Sequence, residues 1–192
     1  MVKVLTIYPS TQELMIIMPG VPVSPIMPED PRPPIPKVAD ERTQLIAFLD
    51  HYRETVILKV RGLTLEQATR RLVPSETTLL GMIKHLVSVE GHWFRTALHD
   101  ETLPVPYSWE DPDGDFRIEP GETVEGIVAA YRGAIVASRR AIQGVGLDTI
   151  ARRGTPGYPS LRWILIHMIE ETARHAGQAD ILREQTDGAI GS

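Results

Sequence analysis

The sequence predicts an all-α protein, a four-helix bundle preceded by an extended, proline-rich N-terminal arm. Three observations indicate this fold. Four segments after residue 40 repeat apolar residues at spacings of three and four, which is the pattern of amphipathic helices. A connection of about two dozen residues separates the second segment from the third. The first 37 residues hold nine of the 16 prolines.

The N-terminal segment, residues 1–37, is poorly suited to a helix. Residues 31–36 include four prolines, which lack a backbone N–H group and break helices. We therefore predict an extended or disordered arm over residues 1–37 and one domain over residues 38–192. An edge strand over residues 2–8, followed by polyproline, is the alternative for the beginning of the arm.

The first helix is expected from Asp40 to near Gly62. Its apolar stripe consists of Leu45, Leu49, Tyr52, Val56 and Val60. After this helix, Thr64 followed by Gln67 has the pattern of a capping box, in which each side chain bonds the other residue's backbone N–H. This pair predicts a short helical turn before Pro74.

Three further helices are expected. The first of them starts after Ser75 and runs to about residue 98, the next covers residues 123–142, and the last runs from residue 160 to about residue 185. The linker over residues 99–122 is rich in proline and glycine and is predicted to be irregular. At ~3.3 Å per residue it can run the full length of a ~30 Å helix. The second and third long helices can therefore be parallel, which gives an up-down-down-up order.

Composition excludes several function classes. The chain has 20 basic and 25 acidic residues, a formal net charge of −5, so no basic surface for nucleic acid is expected. It has no cysteine, which excludes disulfides, thiolate ligands and a cysteine nucleophile. No apolar run approaches the ~20 residues needed to cross a bilayer, and no secretory signal is evident. We expect a cytoplasmic protein without membrane partners.

The fourth helix carries His167, Glu171 and His175 four residues apart on one face. Imidazole and carboxylate groups are the ligands of catalytic zinc sites, which combine three protein ligands with one open position. Residues eight apart on a helix are ~12 Å apart, so only one pair, His167/Glu171 or Glu171/His175, can share an ion. If the second and fourth long helices are antiparallel, His85 lies at the depth of His175, which favours His85, Glu171 and His175.

A hydrogen-bonded network without metal explains these residues equally well at this stage. Buried histidines usually have hydrogen-bond partners, and Glu171 could pair with Arg174. His92 and His99 also lie on the second long helix, without an assigned role. The better-known metal and nucleophile motifs, such as His-Glu-x-x-His and the phosphate loop, are absent from the sequence.

Residues 78–95, 160–163 and 167–184 resemble the DinB-like superfamily, and the resemblance extends over residues 38–190. It implies an up-down-down-up bundle with a divalent metal ion held by one histidine of the second helix and two residues of the fourth. Many members have His-x-x-x-His in the fourth helix. Here Glu171 precedes His175, as in the similar mycothiol-dependent maleylpyruvate isomerases. The chain also resembles the thiol S-transferases of this superfamily.

The resemblance implies His85, Glu171 and His175 as ligands, with zinc as the expected ion and nickel or iron as alternatives. His167 receives no ligand role and is expected to support the site or the core. The implied function is that of an S-transferase or thiol-dependent isomerase, which uses a small thiol such as mycothiol and a small electrophile. A homodimer is compatible with this assignment.

Two other functions are consistent with the same residues. In a metal-dependent hydrolase, the ion would activate water and Glu170 or His167 would serve as the base. In a non-catalytic stress or interaction protein, the metal would only tie the helices together. The aromatic residues Trp93, Phe94, Tyr107 and Trp109 could line a substrate mouth, although such residues more often belong to the core or anchor loops.

Overall fold

The structure is a computed structural model that describes residues 30–154 and 157–190, and it is all-helical, as predicted. Its α-helices are α1 (Glu41–Leu58), α2 (Leu65–Ala68), α3 (Leu79–Gly91), α4 (Val124–Ala141) and α5 (Leu161–Asp187). A π-helical segment, His92–Ala97, continues α3, and a 3-10 turn, Gly114–Phe116, lies in the linker before α4. Within the described residues, β pairing is limited to one bridge between Ile150 and Ser160.

Side chains at the helix ends explain most of the helix bounds. Asp40, Thr123 and Ser160 accept hydrogen bonds from backbone N–H groups in the first turns of α1, α4 and α5. Thr64 forms the predicted capping box at α2. Gly188 ends α5 with a φ of 78°, a left-handed conformation that glycine adopts without strain. The predicted bounds of α1, α4 and α5 are therefore confirmed to within a few residues.

The second long helix begins later than predicted and changes geometry near its end. Thr78 accepts a hydrogen bond from the backbone N–H of Gly81, so α3 begins at Leu79 instead of directly after Ser75. From His92 the helix widens into the π-helical segment. Such segments often mark functional positions in helices, and this one follows the region that carries His85.

Contacts near both ends of each helix pair give the helix directions. Between α1 and α5 the contacts are Glu41–Arg162 and Lys59–Arg183. Between α3 and α5 they are His85–His175 and Trp93–Trp163. Between α3 and α4 they are Lys84–Glu122 and His99–Ala141. Thus α1 and α5 are parallel, α3 is antiparallel to α5, and α4 is parallel to α3. The antiparallel relation that the metal-site argument required is present.

A charged pair lies in the interior between α1 and α3. Arg53 is 4% exposed and Glu90 is fully buried. The guanidinium donates two hydrogen bonds of 2.7 Å, from Nε and Nη2, to the two oxygens of Glu90. Arg53 also bonds Asp50 and lies over the ring of Phe94, so its donors and its flat face both have partners.

Most of the predicted N-terminal arm, residues 1–29, lies outside the described residues. The final part of residues 1–37 follows α1: the carbonyl oxygen of Pro33 lies 3.1 Å from His51 Nδ1, and Gln44 donates to the carbonyl of Lys37. The division at residue 37 stays a prediction. In the part of the chain that the structure describes, none of the helices has the length and apolar character to cross a membrane.

Candidate metal centre

The structure brings together the three residues predicted as ligands. His85 lies on α3, and Glu171 and His175 lie one turn apart on α5. Glu171 Oε1 is 3.4 Å from His85 Nε2 and 3.2 Å from His175 Nε2. One donor atom from each residue lies within 4.8 Å of the other two. The antiparallel packing of α3 on α5 thus creates a cluster of two imidazoles and one carboxylate.

The other nitrogen of each imidazole is held by a neighbouring acceptor. His85 Nδ1 lies 2.9 Å from Oδ2 of Asp115, and His175 Nδ1 lies 2.9 Å from Oε1 of Gln178. Because these oxygens accept hydrogen bonds, each Nδ1 carries a proton and each Nε2 faces the centre of the cluster. This arrangement, in which an outer acceptor fixes the ring and its tautomer, is typical of metal-bound histidines.

The linker before α4 supplies much of the environment of His85. Asp115 has a side chain only 2% exposed. Phe116 stacks on the imidazole with ring centroids 4.3 Å apart and planes 17° apart. One turn before His85, a Cβ at Gly81 would lie 2.6 Å from the carbonyl oxygen of Phe116, so only glycine allows the linker this close to α3. The linker therefore holds one ligand from two sides.

Hydrogen bonds and neighbouring charges shift the pKa values of two residues in the cluster, His85 and Glu171. Burial lowers the pKa of His85, but hydrogen bonds and charge interactions with Asp115 and Glu171 outweigh it and raise that pKa to about 9. Hydrogen bonds from His175 and then His85 hold the pKa of Glu171 well below its usual range, although burial acts against them. Glu171 is therefore anionic, and a cation is favoured between its carboxylate and the two rings.

The donor set fits a small divalent ion. A tetrahedral ion with bonds of about 2.0–2.2 Å separates neighbouring ligand atoms by about 3.3–3.6 Å. The separations of 3.4 Å and 3.2 Å from Glu171 Oε1 to the two Nε2 atoms are close to that spacing. Two imidazoles and one carboxylate suit zinc, nickel or iron better than magnesium or calcium, which prefer oxygen ligands. The ligand assignment stays a prediction, and the geometry is compatible with it.

The cluster is accessible from one side. The side chains of His85, Glu171 and His175 are 19%, 15% and 10% exposed. A cavity of about 160 Å³ adjoins His85 and is lined also by His92, Trp93, Tyr107 and Asp115, with Val89 and Pro112. A small molecule in this cavity would reach the cluster without passing through the helical core.

His167 lies apart from the three candidate ligands. Its ring stacks on Trp163, with centroids 5.0 Å apart, and contacts Trp93 edge to face at 4.8 Å. Burial lowers its pKa. His92 is exposed and contacts Trp93, and His99 bonds the backbone of Ala141. The alternative pair His167/Glu171 therefore has no third ligand near it among the described residues.

Sequence reasoning missed the residues that orient the rings. Asp115 and Phe116 lie some 30 positions after His85 in a linker without periodicity, so no helical spacing relates them to the site. Gln178 could have been found, since it lies three residues after His175 and such neighbours face each other on a helix. Gly81 could have been noticed as a glycine inside a helical segment.

A sequence profile described as mycothiol-S-transferase matches residues 44–188, a range that contains most of α1, the whole of α2 to α5 and all three candidate ligands. A search of the curated proteins finds no match.

Among solved structures, the chain is similar to a conserved protein from Enterococcus faecalis. The TM-score is 0.56 and the identity 14%, over 79% of this chain and all of that chain. At this identity the likeness concerns the fold alone. The profile match covers about three quarters of the chain, and the chain therefore belongs to the mycothiol-S-transferase family of DinB-like proteins.

Proposed function

We propose that this protein is a metal-dependent S-transferase that uses mycothiol, with the ion held by His85, Glu171 and His175. The observation that carries the proposal is the convergence of these three donors beside an open cavity, in a chain of the mycothiol-S-transferase family. Zinc is the ion we favour, since two imidazoles, one carboxylate and an open position are characteristic of catalytic zinc.

The chemistry follows from the charges in the site. A divalent ion held by His85, Glu171 and His175 would lower the pKa of a thiol that reaches it and would keep the sulfur as a thiolate near neutral pH. Asp115 and Gln178 hold the two imidazoles in the orientation that binds, and the aromatic rings beside them limit water. The thiolate sulfur attacks the electrophilic carbon, a C–S bond forms, and the leaving group departs with its bonding electrons. The thiol proton passes to solvent.

The structure favours this function over its two rivals. A purely structural ion needs four protein ligands, whereas the described residues bring three together, next to a cavity. A hydrolase needs a base, but Glu170 is engaged by Arg174 and His167 is packed against two tryptophans. Both groups that could take a proton from water therefore already have partners.

We also propose that residues 38–192 form an up-down-down-up four-helix bundle and that the protein is cytoplasmic. The parallel pairs α1/α5 and α3/α4, with α3 antiparallel to α5, support the bundle order. A thiol cosubstrate supports the location, because the cytosol keeps thiols reduced. Whether the chain forms a homodimer is best measured by its mass in solution.

Cobalt substitution tests the proposed function. Cobalt-loaded protein titrated with mycothiol should develop a sulfur-to-metal charge-transfer band, with an apparent affinity that rises with pH towards the pKa of the free thiol. Glu171→Gln, which removes a charged ligand at constant size, should weaken or abolish the band. A fully loaded protein that shows no band with mycothiol or with a simple thiol would replace this proposal with one of the two rivals.

A further inference from the structure

A groove between α3, α4 and the linker lies beside the metal site. Its volume is about 440 Å³, and it shares two lining residues, His92 and Tyr107, with the cavity at His85. The two spaces therefore adjoin. Small-molecule sites have volumes of about 300–1,000 Å³, so the groove can hold a ligand whose reactive end reaches the cluster.

The lining of this groove is mostly apolar. Ile127, Ala130, Ala134 and Ala137 lie at spacings of three and four on one face of α4 and form its floor, and the linker contributes apolar side chains such as Leu103. The small alanine side chains leave the volume that a ligand would fill. A neutral hydrocarbon group would bury apolar surface against this floor and against the linker.

The charged side chains of the groove already have partners. Lys84 donates to Glu122 and to the carbonyl of Arg117 at 2.7 Å and 2.6 Å. Arg95 is paired with Glu101 at 2.6 Å. An anionic ligand would have to break one of these pairs to gain a cation, whereas an uncharged ligand would leave both intact.

We propose that this groove binds the second substrate of the transfer, the electrophile, and that this electrophile is a neutral molecule with an apolar tail. The proposal rests on the proposed function for the chemistry at the cluster, but the groove's preference for neutral ligands follows from its lining alone. Mycothiol, which is rich in hydroxyl groups, would enter from the side of the cavity at His85.

Two related fluorescent probes test the groove directly. N-phenyl-1-naphthylamine is neutral, and 8-anilino-1-naphthalenesulfonate is the same ring system with a sulfonate. The neutral probe should bind at least about tenfold more tightly than the charged one, and 1-chlorohexane should displace it. Equal affinity for the two probes, or no displacement, would overturn the proposal.

Substitutions on α4 locate the site. Ala134→Phe should weaken binding of the neutral probe at least about tenfold by filling the floor. Ala129→Phe, on the exposed face of the same helix and outside the groove, should leave it within about twofold. Ala130→Phe is a second groove variant at an exposed position that tolerates a large side chain, should Ala134→Phe unfold by circular dichroism. Equal binding by the groove variants and Ala129→Phe would refute the assignment.

The same variants separate this proposal from the proposed function. With an alkyl halide and mycothiol, Ala134→Phe or Ala130→Phe should raise the KM for the halide and leave the KM for mycothiol unchanged. The charge-transfer band of the cobalt protein should also be unchanged. If the charge-transfer band forms but groove and control variants bind the neutral probe equally, the groove assignment is wrong and the proposed function stands. If the groove variants lose probe binding but no band forms, the groove assignment stands and the proposed function is wrong.

Discussion

Two polar clusters connect α3 with its neighbours, and they differ in how completely their hydrogen bonds are satisfied. Arg53 and Glu90 are buried, and the guanidinium of Arg53 donates hydrogen bonds of 2.7 Å to both carboxylate oxygens of Glu90. Glu171 instead lies between two Nε2 atoms at 3.2 Å and 3.4 Å, beside a cavity.

The first cluster is complete without any ligand, whereas the second leaves a position that a cation would fill. The difference teaches that charge in a helical core indicates a binding site only where its partners leave a position open. Four predictions examine this contrast.

The largest effect is expected at the candidate ligands. His85→Ala, Glu171→Ala and His175→Ala should each lose stoichiometric metal, because two remaining ligands cannot hold the ion tightly. Helical content should persist, because the apolar core supplies the fold. His167→Ala should weaken binding modestly, by no more than about 10–100-fold. Elemental analysis after dialysis and circular dichroism measure both quantities.

The control for these variants is His51→Ala, on α1, which should keep full metal occupancy. If a folded alanine variant of any candidate ligand keeps its metal, that residue leaves the ligand set. If His167→Ala loses metal as completely as His175→Ala, the alternative pair His167/Glu171 regains its place.

The second prediction concerns the satisfied cluster. Arg53→Met and Glu90→Leu should each lower the free energy of unfolding by about 3–5 kcal/mol, because each leaves a buried charge without its partner. The double variant should be less destabilised than the sum of the two. Urea denaturation of the metal-free protein measures these values.

Metal affinity provides the contrast with the first prediction. It should change little in Arg53→Met, Glu90→Leu and their double variant when they are folded. Strictly additive free energies would mean that Arg53 and Glu90 do not stabilise each other as described. A loss of metal equal to that of His175→Ala would mean that the two clusters are not separate.

A smaller effect is expected at Asp115. Asp115→Asn removes the negative charge that faces His85 Nδ1 but keeps an oxygen that can accept the hydrogen bond, so metal affinity should fall by about 10–100-fold. The exposed neighbour Asp113 provides a matched control, and Asp113→Asn should leave affinity unchanged. Competition with a chelator of known affinity measures both. Equal affinities for the two variants would remove Asp115 from the site.

The pH dependence of metal binding is the mildest test. Because the pKa of His85 is raised to about 9 in the metal-free protein, an ion must displace a proton from this ring below that pH. Affinity should therefore rise with pH by about tenfold per unit between pH 7 and 9, and level off above. Buffered zinc titrations at several pH values measure the slope. A flat profile between pH 7 and 9 would show that His85 carries no such proton.

Local sequence signals were sufficient for most helix bounds and for two of the three candidate ligands. The capping residues Asp40, Thr64 and Ser160 act within one turn of the backbone, so their effect can be predicted from neighbouring residues. Glu171 and His175 are related by the helical repeat. For these elements the relevant distances along the chain are short.

The remaining features depend on contacts between distant segments. The choice of His85 required the direction of α3 relative to α5, which the length of the linker permits but does not determine. The contact of Asp115 with His85 spans 30 positions and a stretch without periodicity. None of the local sequence signals used here predicts the π-helical geometry of His92–Ala97. Tertiary packing decided these features.

The close approach of the linker to α3 has a thermodynamic consequence. Asp115 and Phe116 touch a candidate ligand, and the carbonyl of Phe116 lies where Gly81 has no side chain. Fixing a long connection costs conformational entropy, and an ion on His85 would offset part of that cost. Linkage is reciprocal, so any contact that holds the linker in place would raise the affinity for the ion by the same factor by which the ion stabilises the linker. Resistance of residues 99–122 to proteolysis is thus a measure of metal occupancy.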